Sequence, residues 1–367
     1  MTDTFIHQKM ITYLGNKRKL IPEIESILQE VCQTLKKKKL NLFDGFAGSS
    51  VVSRLFTKYA NHLYSNDLEL YSLIMNQCFI IQPEEFQIKM IQHHIKSMNH
   101  LAEKGPYKEG VICKLYAPKD TENIQKGERC FYTRENALII DTLRDYIANH
   151  VESHLFSYCI TPLLIQASIH VNTSGVFLGF HKNKKTGLGQ WGGTAENDLQ
   201  RIKGPIKLEI PCWSTLKYQP HVSQKDTNIL IDEIPSIFDL IYLDPPYNMH
   251  GYSNNYFMFN VIIENKEPKQ ISDVSGIPTN WNRSLYNYKK SALTAMEALL
   301  QKSLEKSKYV LLSYNNEGII QEEEWEELLD IYQVKKYEVK YDTYKGGRNL
   351  KERENKVIER MYLIQKI

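Results

Sequence analysis

Asp244-Pro245-Pro246-Tyr247 follows directly on an apolar run ending at Leu243, so a carboxylate, two residues of fixed φ and an aromatic ring share one rigid loop. An exocyclic amine conjugated to a purine ring is a poor nucleophile until its N–H groups are held and its lone pair faces an electrophile. Asp244 can accept one N–H and the backbone carbonyl of Pro245 the second. Tyr247 can stack on the base, and Pro245 and Pro246 keep these groups from relaxing away. Such chemistry needs no metal. A second cluster is Asp44-Gly45-Phe46-Ala47-Gly48, whose glycines allow backbone to approach a ligand, followed at Asp67 by an acid at the interval suited to a ribose diol. The pair suits an adenosine-containing cofactor.

These residues need strand ends to hold them. Asn41-Leu42-Phe43 reads as a short strand feeding the glycine loop and an apolar-periodic helix, and His62-Leu63-Tyr64 as a second strand ending at Asn66-Asp67, with a helix over Leu70 to Phe79. Alternating strand and helix implies parallel pairing in an α/β sheet. A helix is predicted before all of these, from Arg18 through Ile21, Ile24, Ile27 and Leu28, after a Gly15-Asn16 turn. From about residue 85 to 215 the rhythm fails. Amphipathic helices around Asn136 to Ile147 and Leu155 to Ile169 precede a polar, glycine-dotted stretch, which marks an insert. The rhythm returns at Asn228-Ile229-Leu230-Ile231 and at Phe238 to Leu243, the latter fit for a strand buried on both faces. Tyr309 to Ser313 is a later strand. Tyr337 to Tyr341 and Val357 to Ile364 read as a hairpin around the basic connection Tyr344 to Arg348.

The 367 residues, 42% hydrophobic and 11% aromatic, suffice for an enzyme core plus a recognition part and exclude a disordered chain or a small disulfide-stapled scaffold. With 46 Lys and Arg against 43 Asp and Glu, a basic surface must be a local patch. Six cysteines stand singly, without metal spacing, and read as buried thiols of a reducing cytosol. The beginning of the chain lacks an apolar targeting run and no membrane-length apolar segment appears, so a cytoplasmic protein is expected.

In the order of cofactor loop, recognition insert and catalytic loop, nearly the whole chain resembles the Dam-like, alpha-group DNA adenine N6-methyltransferases. The resemblance implies a Rossmann-like class I methyltransferase sheet with an inserted, mainly helical target-recognition domain. Residues 1–85 and 216–367 would form the S-adenosylmethionine-binding catalytic part and 86–215 the insert. Tyr13-Leu14-Gly15-Asn16-Lys17 resembles the motif that binds the carboxylate end of S-adenosylmethionine, with Tyr13 and Lys17 at its aromatic and basic positions. Asp44 to Ser50 resembles the cofactor loop, Ser50 standing where the family's last glycine is usual. Asn66-Asp67 resembles the ribose-binding acidic position, and Asp226 lies where the family has a polar residue beside the cofactor adenine. The target adenine would be flipped out of double-stranded DNA into the pocket. A functional pairing with a restriction endonuclease is implied only by the resemblance.

Positive charge in the insert collects at Lys182, Lys184, Lys185, Arg201, Lys203 and Lys207, as phosphate contacts demand, while Asn172, Gln190 and Trp191 could reach base edges or stack. Tyr252, Tyr256 and Phe257 could line a flipped-base pocket or pack the core. Two alternatives stay open on these residues: a cytosine N4 methyltransferase, although Asp at 244 favours adenine, and a catalytically silent DNA-binding specificity subunit.

Overall fold

Leu40–Asp44 (β1) and Phe238–Leu243 (β4) lie side by side and parallel at the centre of a seven-stranded sheet ordered β3-β2-β1-β4-β5-β7-β6. The computed structural model describes all residues except 1, 9, 194, 195, 197, 236, 343–355 and 367. α1 (Thr2–His7) and a 3-10 turn over Lys17–Leu20 precede α2 (Ile21–Leu35), β1, α3 (Val51–Phe56), β2 (Ala60–Asp67) and α4 (Leu70–Ile80). α5 (Glu85–Lys104), α6 (Val111–Tyr116), α7 (Arg134–His150), α8 (Phe156–Ile169) and α9 (Leu199–Lys203) come next. The sheet resumes with β3 (Gln219–Gln224), α10 (Thr227–Glu233), β4, α11 (Tyr252–Asn255), α12 (Phe257–Glu264), α13 (Lys289–Lys306) and β5 (Ser307–Asn315). It closes with α14 (Glu322–Leu329), β6 (Gln333–Asp342) and β7 (Lys356–Gln365). β3, β2, β1, β4 and β5 are parallel, while β7 runs antiparallel to both β5 and β6. This is the Rossmann-like α/β sheet expected from the alternation, its order reversing between β1 and β4, where ligands of such sheets bind.

Local signals explain most elements. α2 has Pro22 in its first turn, buries Ile21, Ile24, Ile27, Leu28 and Val31 along one side, and stops at Lys36, whose left-handed backbone caps the last carbonyls. Every residue of β4 is buried, as its unbroken apolar run requires when helices cover both faces. α7 starts at Thr133, whose hydroxyl accepts from the Asn136 amide, and α5 starts at a capping box of Glu84 and Gln87. The apolar sides of α5, α7 and α8 join the same hydrophobic core as α2, α3 and α4. A full burial of each such Ile or Leu is worth about 1.5–3 kcal/mol.

Two readings of the sequence are corrected. Asn228 to Ile231 belongs to a helix, α10, because Asp226 caps it through the Asn228 amide. A short apolar run does not by its pattern distinguish strand from helix. The strand on that side is instead Gln219–Gln224, a polar sequence containing Pro220 that suits an edge position. β6 and β7 pair in register from Gln333↔Gln365 to Asp342↔Lys356, as the expected hairpin does, and its connection Tyr344 to Arg348 lies outside the described residues. Cys78, Cys113, Cys130 and Cys159 are buried free thiols, whereas Cys32 and Cys212 are half-buried. Among the described residues, no helix is long and apolar enough to cross a membrane.

Candidate active site

The loop after β1 is held from three sides. The Gly45 amide donates to the Tyr242 carbonyl of β4 at 3.0 Å, the Ala47 amide to the Asn66 carbonyl at 2.9 Å, and the Gly48 amide to Asp67 Oδ2 at 2.8 Å. The other carboxylate oxygen of Asp67 accepts from the Glu69 amide at 2.9 Å. One acid thus fixes both the glycine loop and the turn that starts α4. Burial raises the Asp67 carboxyl above its usual range, and these backbone donors oppose that. Asp44 is fully buried and accepts from Ser53 Oγ at 2.6 Å; burial pushes its carboxyl up to about 7.

Glycine serves this loop by making room for protein. An ideal Cβ on Gly48 (φ +50°) would stand 2.9 Å from the Tyr13 ring, and one on Gly45 would stand 3.0 Å from the Thr227 methyl. At the position where the related motif has its last glycine, Ser50 takes φ 67°, the left-handed backbone a glycine would supply. Its hydroxyl donates to Asn76 Oδ1 at 2.6 Å in full burial. Asn76 also accepts from Ser65 Oγ at 2.7 Å, so a buried polar network braces the loop from below. Ser65 and Asn76 escaped the sequence reading, since nothing in their spacing sets them apart from ordinary helix and strand residues.

Asp244 stands just past the end of β4. Its Oδ1 is 2.9 Å from Lys17 Nζ, and the same ammonium is 2.9 Å from Glu359 Oε1 of β7. Lys17 is only 4% exposed; burial works against its charge, and the Asp244 and Glu359 carboxylates outweigh that, holding it well above the usual lysine range. Burial raises Asp244 above the usual carboxylate range, with Lys17 opposing. The Tyr247 ring lies against Gly15, 5.7 Å from Lys17 Nζ, and meets Tyr314 edge-on. The Tyr13 ring stacks with those of Tyr252 and Tyr256, at 5.1 and 4.7 Å, and these two lie 6.1 Å from each other. The hydroxyls of the same two tyrosines bond the Leu14 backbone, Tyr256 accepting from its amide at 2.6 Å and Tyr252 donating to its carbonyl at 3.2 Å. The segment before Lys17 is thereby tied to the chain that follows Tyr247.

These parts surround a cleft. Tyr13, Phe46, Gly48, Asp67, Asp226, Asp244 and Pro246 line it, whereas Lys17, Asp44, Gly45, Ala47, Pro245 and Tyr247 stand behind or beside that lining. Tyr256 and Phe257 are buried core residues, and Tyr252 alone of the three noted tyrosine and phenylalanine candidates faces the cleft. Glu69, Ser253, Asn282, Ser284 and Tyr286 also line it. Only Glu69, two residues after Asp67, carried a signal in the sequence. Its Oε2 is buried without a hydrogen-bond partner among the described residues, while Ser253 donates to Oε1. Burial pushes the Glu69 carboxyl up to about 7. Among the described residues no cluster of three His, Cys, Asp or Glu could hold a metal ion.

In the insert the structure redistributes the expected roles. Asn172 is fully buried; its amide donates to the Cys130 and Gln190 carbonyls at 3.0 and 3.2 Å, and its oxygen accepts from the Gly192 amide at 3.0 Å. Three of its four bonding positions are thus taken inside the protein, where it ties the turns of the insert together. Trp191 is buried as well, its indole donating to the Thr121 carbonyl at 2.9 Å. Arg201 donates through one guanidinium nitrogen to the Ile169 and Val171 carbonyls at and just beyond the end of α8, the latter at 2.8 Å, so it braces that helix end. Lys203 is paired with Glu122. Lys182, Lys184 and Lys185 are exposed on a small hairpin closed by the bridge Lys182↔Gly189. Asn183 Oδ1 accepts the Lys185 and Thr186 amides at its tip.

The chain is similar to several known methyltransferases. It is 27% identical to the type II methyltransferase M.NlaIII of Neisseria lactamica, over 97% of this chain and 99% of that protein. It is 28% identical to the modification methylase StsI of Streptococcus sanguinis over 88% of this chain and 46% of that protein. It is 26% identical to the type II methyltransferase M.FokI of Planomicrobium okeanokoites over 96% of this chain and 52% of that protein. It therefore spans about half the length of the latter two. The sequence model described as D12 class N6 adenine-specific DNA methyltransferase matches residues 13–328. With the glycine loop after β1 and the Asp-Pro-Pro-Tyr loop after β4 facing one cleft, this protein belongs to the D12 class N6 adenine-specific DNA methyltransferase family.

Proposed function

We propose that the protein transfers the methyl group of S-adenosylmethionine to the N6 amine of an adenine flipped out of a specific site in double-stranded DNA. The observation that carries this reading is that Asp244 and Asp67, at the ends of β4 and β2, line the same cleft at the reversal of strand order. The cleft suits the donor. Its wall combines aromatic rings for an adenine, carboxylates for a ribose and a cationic amino acid, and one buried oxygen of Glu69 lacking a partner among the described residues. Tyr13, Phe46, Gly48, Asp67, Glu69 and Asp226 would hold it. Bound there, it would supply an electrophilic methyl whose bond to sulfur breaks, the electron pair staying on sulfur, as the N6–C bond forms.

The chain's own groups prepare the amine. Lys17 engages Asp244 Oδ1, which leaves Oδ2 to accept one N–H, and the Pro245 carbonyl accepts the other; together they turn the nitrogen lone pair toward the donor. The proton lost by N6 passes to Asp244 or to water. Tyr247 stacks on the base. Residues 1–85 and 216–367 carry catalysis and residues 86–215 carry target recognition, the exposed hairpin of Lys182, Lys184 and Lys185 meeting phosphates. The named relatives are type II and modification methylases, which supports a cytoplasmic role in protecting DNA from a partner restriction endonuclease.

Incubation with methyl-labelled S-adenosylmethionine and unmethylated plasmid DNA, followed by digestion to nucleosides, tests this reading. Label in N6-methyladenine is expected, and Asp244→Ala abolishes it while S-adenosylhomocysteine still raises the melting temperature. Label in N4-methylcytosine, or transfer that survives Asp244→Ala, would overturn it.

A further inference from the structure

β7 lies beyond residue 328, where the match to the family ends, yet it delivers a carboxylate to the ion pair beneath Asp244. Glu359 is fully buried, and its Oε1 accepts from Ser313 Oγ of β5 at 2.6 Å while standing 2.9 Å from Lys17 Nζ. The ammonium thus bridges two carboxylates, Glu359 and Asp244, at equal distances of 2.9 Å. With both carboxylates ionised, the three buried groups carry one net negative charge between them.

The charge count has a consequence for the acceptor. A buried lysine paired with Asp244 alone would make a closed neutral pair, and a carboxylate so neutralised is a weak partner for a substrate N–H. With Glu359 sharing the ammonium, Lys17 stays charged and still fixes Oδ1, and Asp244 keeps proton affinity at Oδ2. We infer that Glu359 is a positioning residue for methyl transfer, setting the acceptor strength of Asp244 through the shared Lys17. This rests on the reading of Asp244 as the N–H acceptor.

Other groups face Asp244. Tyr242 and Tyr247 flank it in sequence and Tyr252 approaches from α11, all three held in the neutral phenol form by burial. Asp44 and Asp67 act from β1 and β2. Their own positions and chemistry stay in place when Glu359 is replaced, and of the charges acting on Asp244 only that of Glu359 is removed, so a shift in the Asp244 titration reports the loss of that carboxylate from the Lys17 cluster.

The test is the pH dependence of single-turnover transfer to unmethylated plasmid DNA. Glu359→Gln keeps the shape and an acceptor for Ser313 and removes the charge. Its acid limb is expected to move down by on the order of one pH unit, with a plateau about tenfold lower. Glu359→Asp retains the charge and is expected to keep the limb near its wild-type position. Ser313→Ala removes a donor from Glu359, strengthens its hold on Lys17 and moves the limb upward, so it carries the test should Glu359→Gln fail to fold. Carboxyl-13C NMR of the aspartate-labelled chain without ligands, with Asp244→Asn assigning the signal, should show the same displacements. An unmoved limb and an unmoved Asp244 signal in a folded Glu359→Gln protein would overturn the inference alone. Transfer surviving in Asp244→Ala would instead overturn the reading beneath it.

Discussion

The hydroxyl of Tyr247 occupies the space that a side chain on Gly15 would need: an ideal Cβ there would stand 2.6 Å from it. Gly15 also has φ +69°, a backbone that costs an alanine about 1–2 kcal/mol. Gly15→Ala is therefore expected to lower the melting temperature and to displace Tyr247 from beside Asp244, with turnover reduced at least about tenfold. Gly127→Ala separates the two effects, because Gly127 has φ +92° and nothing within 4 Å of its Cβ position. The control should lose comparable stability in thermal melting and keep its turnover. Equal turnover in the two variants would show that the Gly15–Tyr247 contact is catalytically idle.

Ser50 supports a second comparison, since it combines a left-handed backbone with a buried hydrogen bond to Asn76. Ser50→Gly relieves the first and loses the second, two effects of opposite sign and each of about 1 kcal/mol. Ser50→Ala keeps the strain and loses the bond, leaving an Asn76 oxygen with one donor fewer. The alanine variant should thus be the less stable by about 1 kcal/mol in urea denaturation. The reverse order would mean that the loop's path does not depend on glycine-like freedom at this position.

The parts of the site legible in the sequence were those carried by short contiguous motifs at strand ends. Asp44 to Gly48, Asp67 and Asp244 to Tyr247 announce themselves because each follows an apolar strand, few structural turns need an acid, two prolines and an aromatic ring together, and the α/β alternation brings strand ends to one edge. Glu359 gave no such sign. It sits inside an ordinary alternating strand, and only the antiparallel placement of β7 beside β5 carries it to Lys17. The cleft residues Asn282, Ser284 and Tyr286 were silent for the same reason, standing in a polar connection with no periodicity. In the insert, residue type alone did not show that Asn172 and Arg201 also satisfy backbone carbonyls left by turns and by the end of α8.

Asp44 sets a pH dependence of stability. Burial raises its folded-state carboxyl to about 7, against about 4 in an unfolded chain. The folded state therefore holds the proton more tightly between these values, so the contribution of Asp44 is fully present below about pH 4 and is lost as pH rises through about 7. Asp44→Asn cannot ionise and can still accept from Ser53. Relative to wild type, its melting temperature should improve between pH 5 and pH 8. Glu69, raised to about 7 by its own burial, leaves part of the wild-type slope in place. A difference between variant and wild type that is constant across this range would show that Asp44 is already ionised in the folded protein at pH 5.

Lys184 and Lys185 stand exposed at the tip of the insert hairpin, whereas Asn172 is buried at its base, so replacing them should fail in different ways. If each lysine meets a phosphate, Lys184→Ala with Lys185→Ala weakens DNA binding uniformly across sequences and reduces the slope of log affinity against log salt by about 2. Melting temperature should stay within the small range of surface substitutions. Asn172→Ala strands the Gly192 amide and the Cys130 and Gln190 carbonyls, at about 1–3 kcal/mol for a buried group left without its partner. Its signature is lost stability with an unchanged salt slope, read from fluorescence anisotropy of a labelled duplex at several salt concentrations. A double lysine variant with the wild-type slope would move the phosphate-binding surface away from this hairpin. An Asn172→Ala protein of normal stability but altered site preference would return that residue to base recognition.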